Sequence, residues 1–161
     1  MNLSAYAKAY LATTAEMLVT EQLGWLMAFE DKRAARTLRR VAASGGADTL
    51  VSAFALPVSI ARFLGVLAED RVLAKLPEIA SLALTAAAHD GVGTAVRVVT
   101  ALPLSVAERQ AVFAPFGERA VAEFREDARI GGGMRITIGG VTVDHSLAAR
   151  AQALRQALTT A

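Results

Sequence analysis

The chain contains 161 residues, of which 54% are apolar and 20% are charged, a composition that favours one ordinary folded domain or two small ones over disorder. Alanine supplies 35 residues and the aromatic residues only 6%, which favours helices that approach one another closely. The net charge of +2 is spread over both halves and excludes the strongly basic class of nucleic-acid-binding proteins. The absence of cysteine excludes disulfides and thiolate metal sites.

Six short helices are predicted before residue 92, mainly from apolar residues at helical spacing. The clearest helix carries Ile60, Phe63, Leu64 and Leu67 at positions i, i+3, i+4 and i+7, as expected of a helix that faces the core. The Ser-Gly-Gly run at residues 44–46 and the Leu-Pro pair at residues 56–57 predict two breaks between helices. The helices are predicted at residues 4–19, 20–29, 31–43, 48–55, 59–68 and 76–88.

After residue 91 the pattern changes from helical to β spacing. Residues 95–100 are rich in β-branched side chains and predict a buried strand, and Ser105 with Glu108 forms a capping box that begins a helix reaching about Phe113. The predicted fold class is therefore α+β, with an N-terminal six-helix bundle at residues 1–91 and a small C-terminal α/β domain at residues 92–161. The remaining predicted elements are strands at residues 121–126, 134–138 and 141–143, a hairpin turn at Gly139 and Gly140, and a final helix at residues 146–158.

Each group of residues that suggests chemistry also has a structural interpretation. The triple glycine at residues 131–133 lacks the Gly-Lys-Ser or Gly-Lys-Thr that a phosphate-binding loop requires, so a structural turn is favoured. Asp144, His145 and Ser146 are the residue types of a hydrolytic triad, but neighbours in sequence point in different directions. Asp144 or Ser146 is instead predicted to cap the last helix. Only His145 and His89 are histidines, which argues against a metal site.

Two further groups leave alternatives open. Tyr6 and Tyr10 lie one helical turn apart, for which core packing is the default and a groove for a partner helix is the alternative. A basic stretch follows at residues 32–40, and a solvated helix face is favoured there over contact with phosphates. That stretch contains Lys32, Arg33, Arg36, Arg39 and Arg40.

The apolar composition also raises the question of a membrane span. The longest uncharged stretch, residues 49–61, has thirteen residues and includes Pro57, whereas a helix needs about twenty to cross a bilayer. The first residues, Met1 to Ser4, begin neither a signal peptide nor an arginine-rich transit segment. The sequence therefore predicts no direct membrane span and a cytosolic location.

An ordered series of short motifs runs through nearly the whole chain. The N-terminal ones are Tyr6-Ala7-Lys8-Ala9, Phe63 to Leu67, and Arg71, Leu73, Leu76 and Ile79. The C-terminal ones are Val99 to Ser105, Ile130-Gly131-Gly132, Arg135-Ile136, Ile138-Gly139, Val143 to Leu147, Leu154 and Leu158. In this order they resemble the family of the ATP synthase delta subunit and the mitochondrial oligomycin-sensitivity-conferring protein (OSCP).

The resemblance implies a non-catalytic peripheral-stalk subunit of an F-type ATP synthase, without a cofactor. The missing transit segment favours a bacterial member of the family, which would lie at the cytoplasmic face of the plasma membrane. Such a subunit links the catalytic head to the b-type stalk, so that the head resists the torque of the rotor. Its expected partners are the alpha subunits of the head, with the beta subunits as a further contact, and the b-type stalk subunits through residues 130–158. The residues expected to bind the alpha N-terminal helices are Tyr6, Ala9, Tyr10, Leu73, Leu76, Ile79 and Leu82.

Two other function classes remain as alternatives. One is a free-standing helical adaptor with different partners, and the other is an enzyme that uses residues interpreted above as structural. Turnover by the isolated protein would favour the enzyme, whereas co-purification with unrelated proteins would favour the adaptor.

Overall fold

The computed structural model describes residues 2–159, without the side chains of residues 42, 44–48, 50, 51, 158 and 159. The chain divides into two compact units, Met1–Gly93 and Thr94–Ala161. Among the described residues the first unit contains only helices, and the second contains a four-stranded sheet with helices around it. The α+β fold class predicted from the sequence is confirmed.

The first unit consists of five α-helices and one short 3-10 helix within its described residues. The predicted bounds of the third and fourth helices were wrong, because a single 23-residue helix replaces the two helices expected at residues 31–43 and 48–55. The sixth helical segment is instead the 3-10 helix. The elements are α1 Leu3–Thr13, α2 Val19–Phe29, α3 Lys32–Phe54, α4 Val58–Glu69, the 3-10 helix Leu73–Lys75 and α5 Leu76–His89.

The break predicted at residues 44–46 was wrong because glycine weakens a helix without ending it. Each glycine costs about 1 kcal/mol relative to alanine, and the packing of α3 against α4 opposes that cost. Asp31 caps the start of the helix, because its carboxylate accepts a hydrogen bond from the Arg33 amide. Ala55 caps the other end with a left-handed φ of 49° and directly precedes the break predicted at residues 56–57.

Helix α1 is shorter than the predicted helix at residues 4–19, for a tertiary reason. The Gln22 side-chain amide donates to the Leu11 carbonyl and to the Thr14 hydroxyl, at 3.3 and 2.7 Å. The Thr14 hydroxyl in turn donates to the Tyr10 carbonyl at 2.7 Å. A side chain from α2 therefore occupies the carbonyl that a longer α1 would use for its own ladder.

The core of the first unit lies around α5, which packs mainly against α1 and α2, while α3 packs against α4. The apolar stripe predicted on α4 is confirmed, because Ile60, Phe63, Leu64 and Leu67 are all buried. Alanines complete the interior, including Ala80, Ala83 and Ala87 on α5, and permit the close helix approach expected from the composition.

The second unit is built on a mixed sheet with the strand order β2-β1-β3-β4. Strand β1 pairs in parallel with β2 and antiparallel with β3, so it lies in the centre with Val96 and Val98 buried. Helix α6 forms the crossover that parallel strands require. The bounds are β1 Thr94–Thr100, α6 Val106–Phe113, β2 Ala120–Glu126, β3 Met134–Ile138, β4 Val141–Asp144 and α7 Leu147–Thr159, with 3-10 turns at Ala114–Phe116 and Ala128–Ile130.

The short sequence motifs in this unit form the local structures that were predicted from them. Ser105 and Glu108 form the complete capping box of α6. Gly139 and Gly140, with φ values of 51° and 88°, form the hairpin turn between β3 and β4. Ser146 caps α7, because its hydroxyl accepts a hydrogen bond from the Ala149 amide at 3.1 Å.

Candidate partner-binding surfaces

The seven side chains expected to bind a partner divide into a buried and an exposed set. The buried set cannot contact another protein in this conformation and instead packs the bundle; it comprises Tyr10, Leu73, Leu76 and Ile79. Of the remaining three, Ala9 is exposed, Tyr6 is half-buried, and Leu82 is 42% exposed. A role in direct contact therefore remains open to these three alone.

Tyr10 joins α1 to two other helices of the bundle. Its hydroxyl donates to the Gln22 carbonyl of α2 at 2.9 Å, and its ring lies edge-on to Phe63 of α4, with the centroids 5.1 Å apart. Burial raises the pKa of Tyr10 far above its ordinary value. Core packing, the default interpretation of this tyrosine, is the one that the structure supports.

Helices α1 and α4 lie side by side and antiparallel, as three contacts show. The Tyr6 hydroxyl donates to the Asp70 carboxylate at 2.7 Å, and this hydrogen bond raises the pKa of Tyr6. The ring contact of Tyr10 lies in the middle. At the other end, the Ser59 hydroxyl donates to the Met17 sulfur at 3.2 Å.

Exposed apolar side chains follow this pair of helices. Val66 shares one face of α4 with Ser59 and Asp70, at spacings of seven and four residues, and is 45% exposed. Leu18, which directly follows Met17 in sequence, is 69% exposed. Val58, which directly precedes Ser59, is 71% exposed. The α1–α4 surface, as we call this region, comprises Tyr6, Ala9, Met17, Leu18, Val58 and Val66.

Sequence reasoning missed the α4 and loop residues of this surface. The sequence did contain a signal for Val66. This residue lies outside the apolar stripe formed by Ile60, Leu64 and Leu67, which indicates that it does not face the core. Its pairing with α1 could not be read from the sequence, because that depends on which helices become neighbours.

The second unit also exposes apolar side chains, within the region that the resemblance assigns to the stalk. They lie on the edge strand β4 and on α7: Val141, Val143, Leu147 and Leu154. The glycine turn supports the start of α7, because the Gly132 carbonyl accepts a hydrogen bond from the Leu147 amide at 3.0 Å. Gly131, Gly132 and Gly133 all have positive φ, which agrees with a structural turn.

Two of the three residues of the possible hydrolytic triad at the end of β4, Asp144 and Ser146, have structural roles instead. Hydrogen bonds from the Ser146 side chain, from the Ser146 amide and from Arg135 lower the pKa of Asp144 to about 2. The Ser146 hydroxyl is the cap of α7. Across the described side chains, no three histidine, aspartate or glutamate residues could together hold a metal ion.

Residues 2–159 include no helix that is both long and apolar enough to cross a bilayer. The sequence model of the family described as "ATP synthase delta (OSCP) subunit" matches residues 4–158. A chain in the cryo-EM structure of the Toxoplasma gondii mitochondrial ATP synthase hexamer has a similar fold, with a TM-score of 0.63 and 18% identity, over 99% of this chain and 98% of that one. No curated protein sequence matches. The family match spans nearly the whole chain, so this protein belongs to the ATP synthase delta (OSCP) subunit family and is a non-catalytic peripheral-stalk subunit.

Proposed function

We propose that the first unit binds amphipathic N-terminal helices of the alpha subunits and that the second unit binds the b-type stalk. The subunit would then hold the catalytic head against the torque of the rotor by passive attachment. The single observation that carries the first half is the exposure of Leu18, Val58 and Val66, the large apolar side chains of the α1–α4 surface.

The chemistry of this surface suits an amphipathic helix. Burial of apolar area stabilises a complex by roughly 25 cal/mol per Å², while association costs on the order of 4–15 kcal/mol. A single exposed valine cannot offset that cost. A partner helix of several turns, lying along α1 and α4 from Tyr6 to Leu18, would cover most of the apolar side chains together, and the small side chain of Ala9 permits close approach.

The second half of the proposal rests on the exposed apolar residues of β4 and α7. An edge strand with unpaired backbone groups and nearby apolar side chains is a ready site for a partner. Val143 and Leu154 are 44% and 63% exposed, and both lie within the residue 130–158 region. The beta subunits remain a predicted further contact, and the cytoplasmic face of a bacterial plasma membrane remains the predicted location.

Two matched variants test the two halves separately. Val66→Asp places a charge in the α1–α4 surface, and Leu154→Asp places the same charge on α7. Binding to the alpha-containing head and to a b-type stalk fragment is measured for both by isothermal titration calorimetry. Val66→Asp should weaken head binding at least tenfold, as expected for a contact near the centre of an interface, and leave stalk binding unchanged, whereas Leu154→Asp should do the reverse.

Removal of the alpha N-terminal segments provides the complementary test from the side of the partner. The head without these segments should bind the full-length subunit far more weakly than the intact head. Undiminished affinity would refute the proposed attachment. Equal loss with Val66→Asp and Leu154→Asp would show that the two units do not divide the partners between them.

A further inference from the structure

A cleft runs along α3 on the side where this helix faces the 3-10 helix and the start of α5. One part of it, of about 230 Å³, lies between Lys32, Arg36 and Arg39 on α3 and Ala74, Pro77 and Glu78 opposite. A second part, of about 340 Å³, is bounded by Arg39 and Ala74 again and by Ala43, Ala68, Arg71 and Leu73. Arg39 and Ala74 line both parts, so the two parts adjoin, and together they are called the α3 cleft below.

The rim of the α3 cleft is strongly cationic. Lys32, Arg36 and Arg39 lie at spacings of four and three residues and so share one face of α3. Arg71 approaches from the end of α4, where its backbone has a left-handed φ of 59°. The rim therefore carries four cations against the one carboxylate of Glu78, in a chain whose total net charge is only +2.

These cations lack internal anionic partners within the described part of the chain. The carboxylate of Glu78 is paired with Lys75 at 2.8 Å, and the ion pairs of the described residues do not involve the four rim cations. Clustering of like charges is unfavourable in itself. An external anion would relieve that repulsion.

The floor of the cleft has a different character from the rim. The apolar residues that line it are mostly small, namely Ala35, Ala74 and Pro77. Ala35 and Leu73 are buried, Pro77 is half-buried and Ala74 is exposed. A small-residue floor permits close approach of a helix, and a cationic rim favours carboxylates along its flanks. A lone phosphate would use the rim and leave the apolar floor uncovered.

We propose that the α3 cleft binds an acidic amphipathic helix of a partner protein. Its carboxylates would lie between the guanidinium groups of Arg36, Arg39 and Arg71, and its apolar side chains would lie on the alanine floor. The α3 cleft shares no residue with the α1–α4 surface. Separate measurements therefore test the proposed attachment to the head and this second interaction, and failure of one would leave the other standing.

The test uses the full-length protein and two synthetic peptides of about 15 residues, a length at which an isolated helix becomes feasible. One peptide carries glutamate on one face and leucine on the other, and its control carries glutamine in place of glutamate. Fluorescence anisotropy measures binding of both to the wild type and to two double variants. Arg36→Gln/Arg39→Gln removes two rim charges, and Arg33→Gln/Arg40→Gln removes two from the same helix outside the cleft.

We expect the glutamate peptide to bind more tightly than the glutamine peptide, and added salt to reduce the difference. Arg36→Gln/Arg39→Gln should weaken binding of the glutamate peptide about fivefold, from two exposed charge pairs of ordinary strength, while Arg33→Gln/Arg40→Gln should leave it unchanged. Equal effects of the two double variants would overturn the proposal, since only net charge would matter. Binding of inorganic phosphate that depends on Arg36 and Arg39, without binding of either peptide, would identify a small-anion site and overturn it as well.

Discussion

Replacement of Gly133 by alanine should destabilise the second unit by about 2–5 kcal/mol, the sum of two separate costs. Gly133 has a φ of 71°, and an alanine held in this left-handed region costs about 1–2 kcal/mol. Its Cβ would also overlap the His145 carbonyl oxygen and lie 3.3 Å from the Ser146 Cα. Overpacking against backbone that cannot easily move typically adds about 1–3 kcal/mol.

Gly131 provides a matched control in the same turn. It is left-handed, with a φ of 72° and a ψ of −12°, and a Cβ there would make only an ordinary contact, 3.8 Å from the Leu147 Cβ. Gly131→Ala should therefore cost only the backbone term, about 1–2 kcal/mol. The difference between the two variants isolates the close packing of the glycine turn against the residues that begin α7.

Native-state amide hydrogen exchange of β1 measures this difference, because the buried central strand exchanges through opening of its unit. The β1 amides of Gly133→Ala should exchange faster than those of Gly131→Ala. Trp25, the single tryptophan, lies in the first unit, so its fluorescence should be the same in both variants. Equal exchange in the two variants would refute the packing argument.

Two further predictions concern internal hydrogen bonds. Tyr10→Phe removes the buried hydrogen bond to the Gln22 carbonyl and should lower the free energy of unfolding by about 1 kcal/mol. Tyr6→Phe removes an exposed hydrogen bond and should leave the free energy of unfolding nearly unchanged. Urea denaturation followed by Trp25 fluorescence measures the free energy of unfolding of both variants. The depressed pKa of Asp144, about 2 against an ordinary 3.8, contributes stability above pH 4 that is lost as the pH falls towards 2. Asp144→Asn should reduce this loss of stability at low pH, which hydrogen exchange measured over a series of pH values would show. An unchanged loss of stability would contradict the assignment.

Local signals predicted most of the secondary structure because their causes lie within a few residues. The Ser105–Glu108 capping box, the paired glycines of the β3–β4 hairpin and the cap at Ser146 all act through bonds to nearby backbone groups. Such interactions survive in any tertiary context that leaves the segment intact. The bounds that were wrong, at the end of α1 and within α3, depend on contacts between helices.

The exposure of the proposed partner-binding residues was harder to predict than the elements that carry them. Tyr10 and Leu76 have the apolar character of an interface, but each is fully buried. Val66 has the same character and is exposed, because it lies outside the buried stripe of α4. Apolar character alone does not separate a core residue from a contact residue, since both remove the same kind of surface from water.

The sequence by itself determined the α+β class, the change from helical to β spacing near residue 91, and the family, because these depend on local periodicity and on the order of motifs. Only the tertiary structure decided which apolar side chains remain at the surface, and that the cations of α3 line one cleft with Arg71. Both depend on which distant segments become neighbours, and the spacing of residues along one helix carries no information about that.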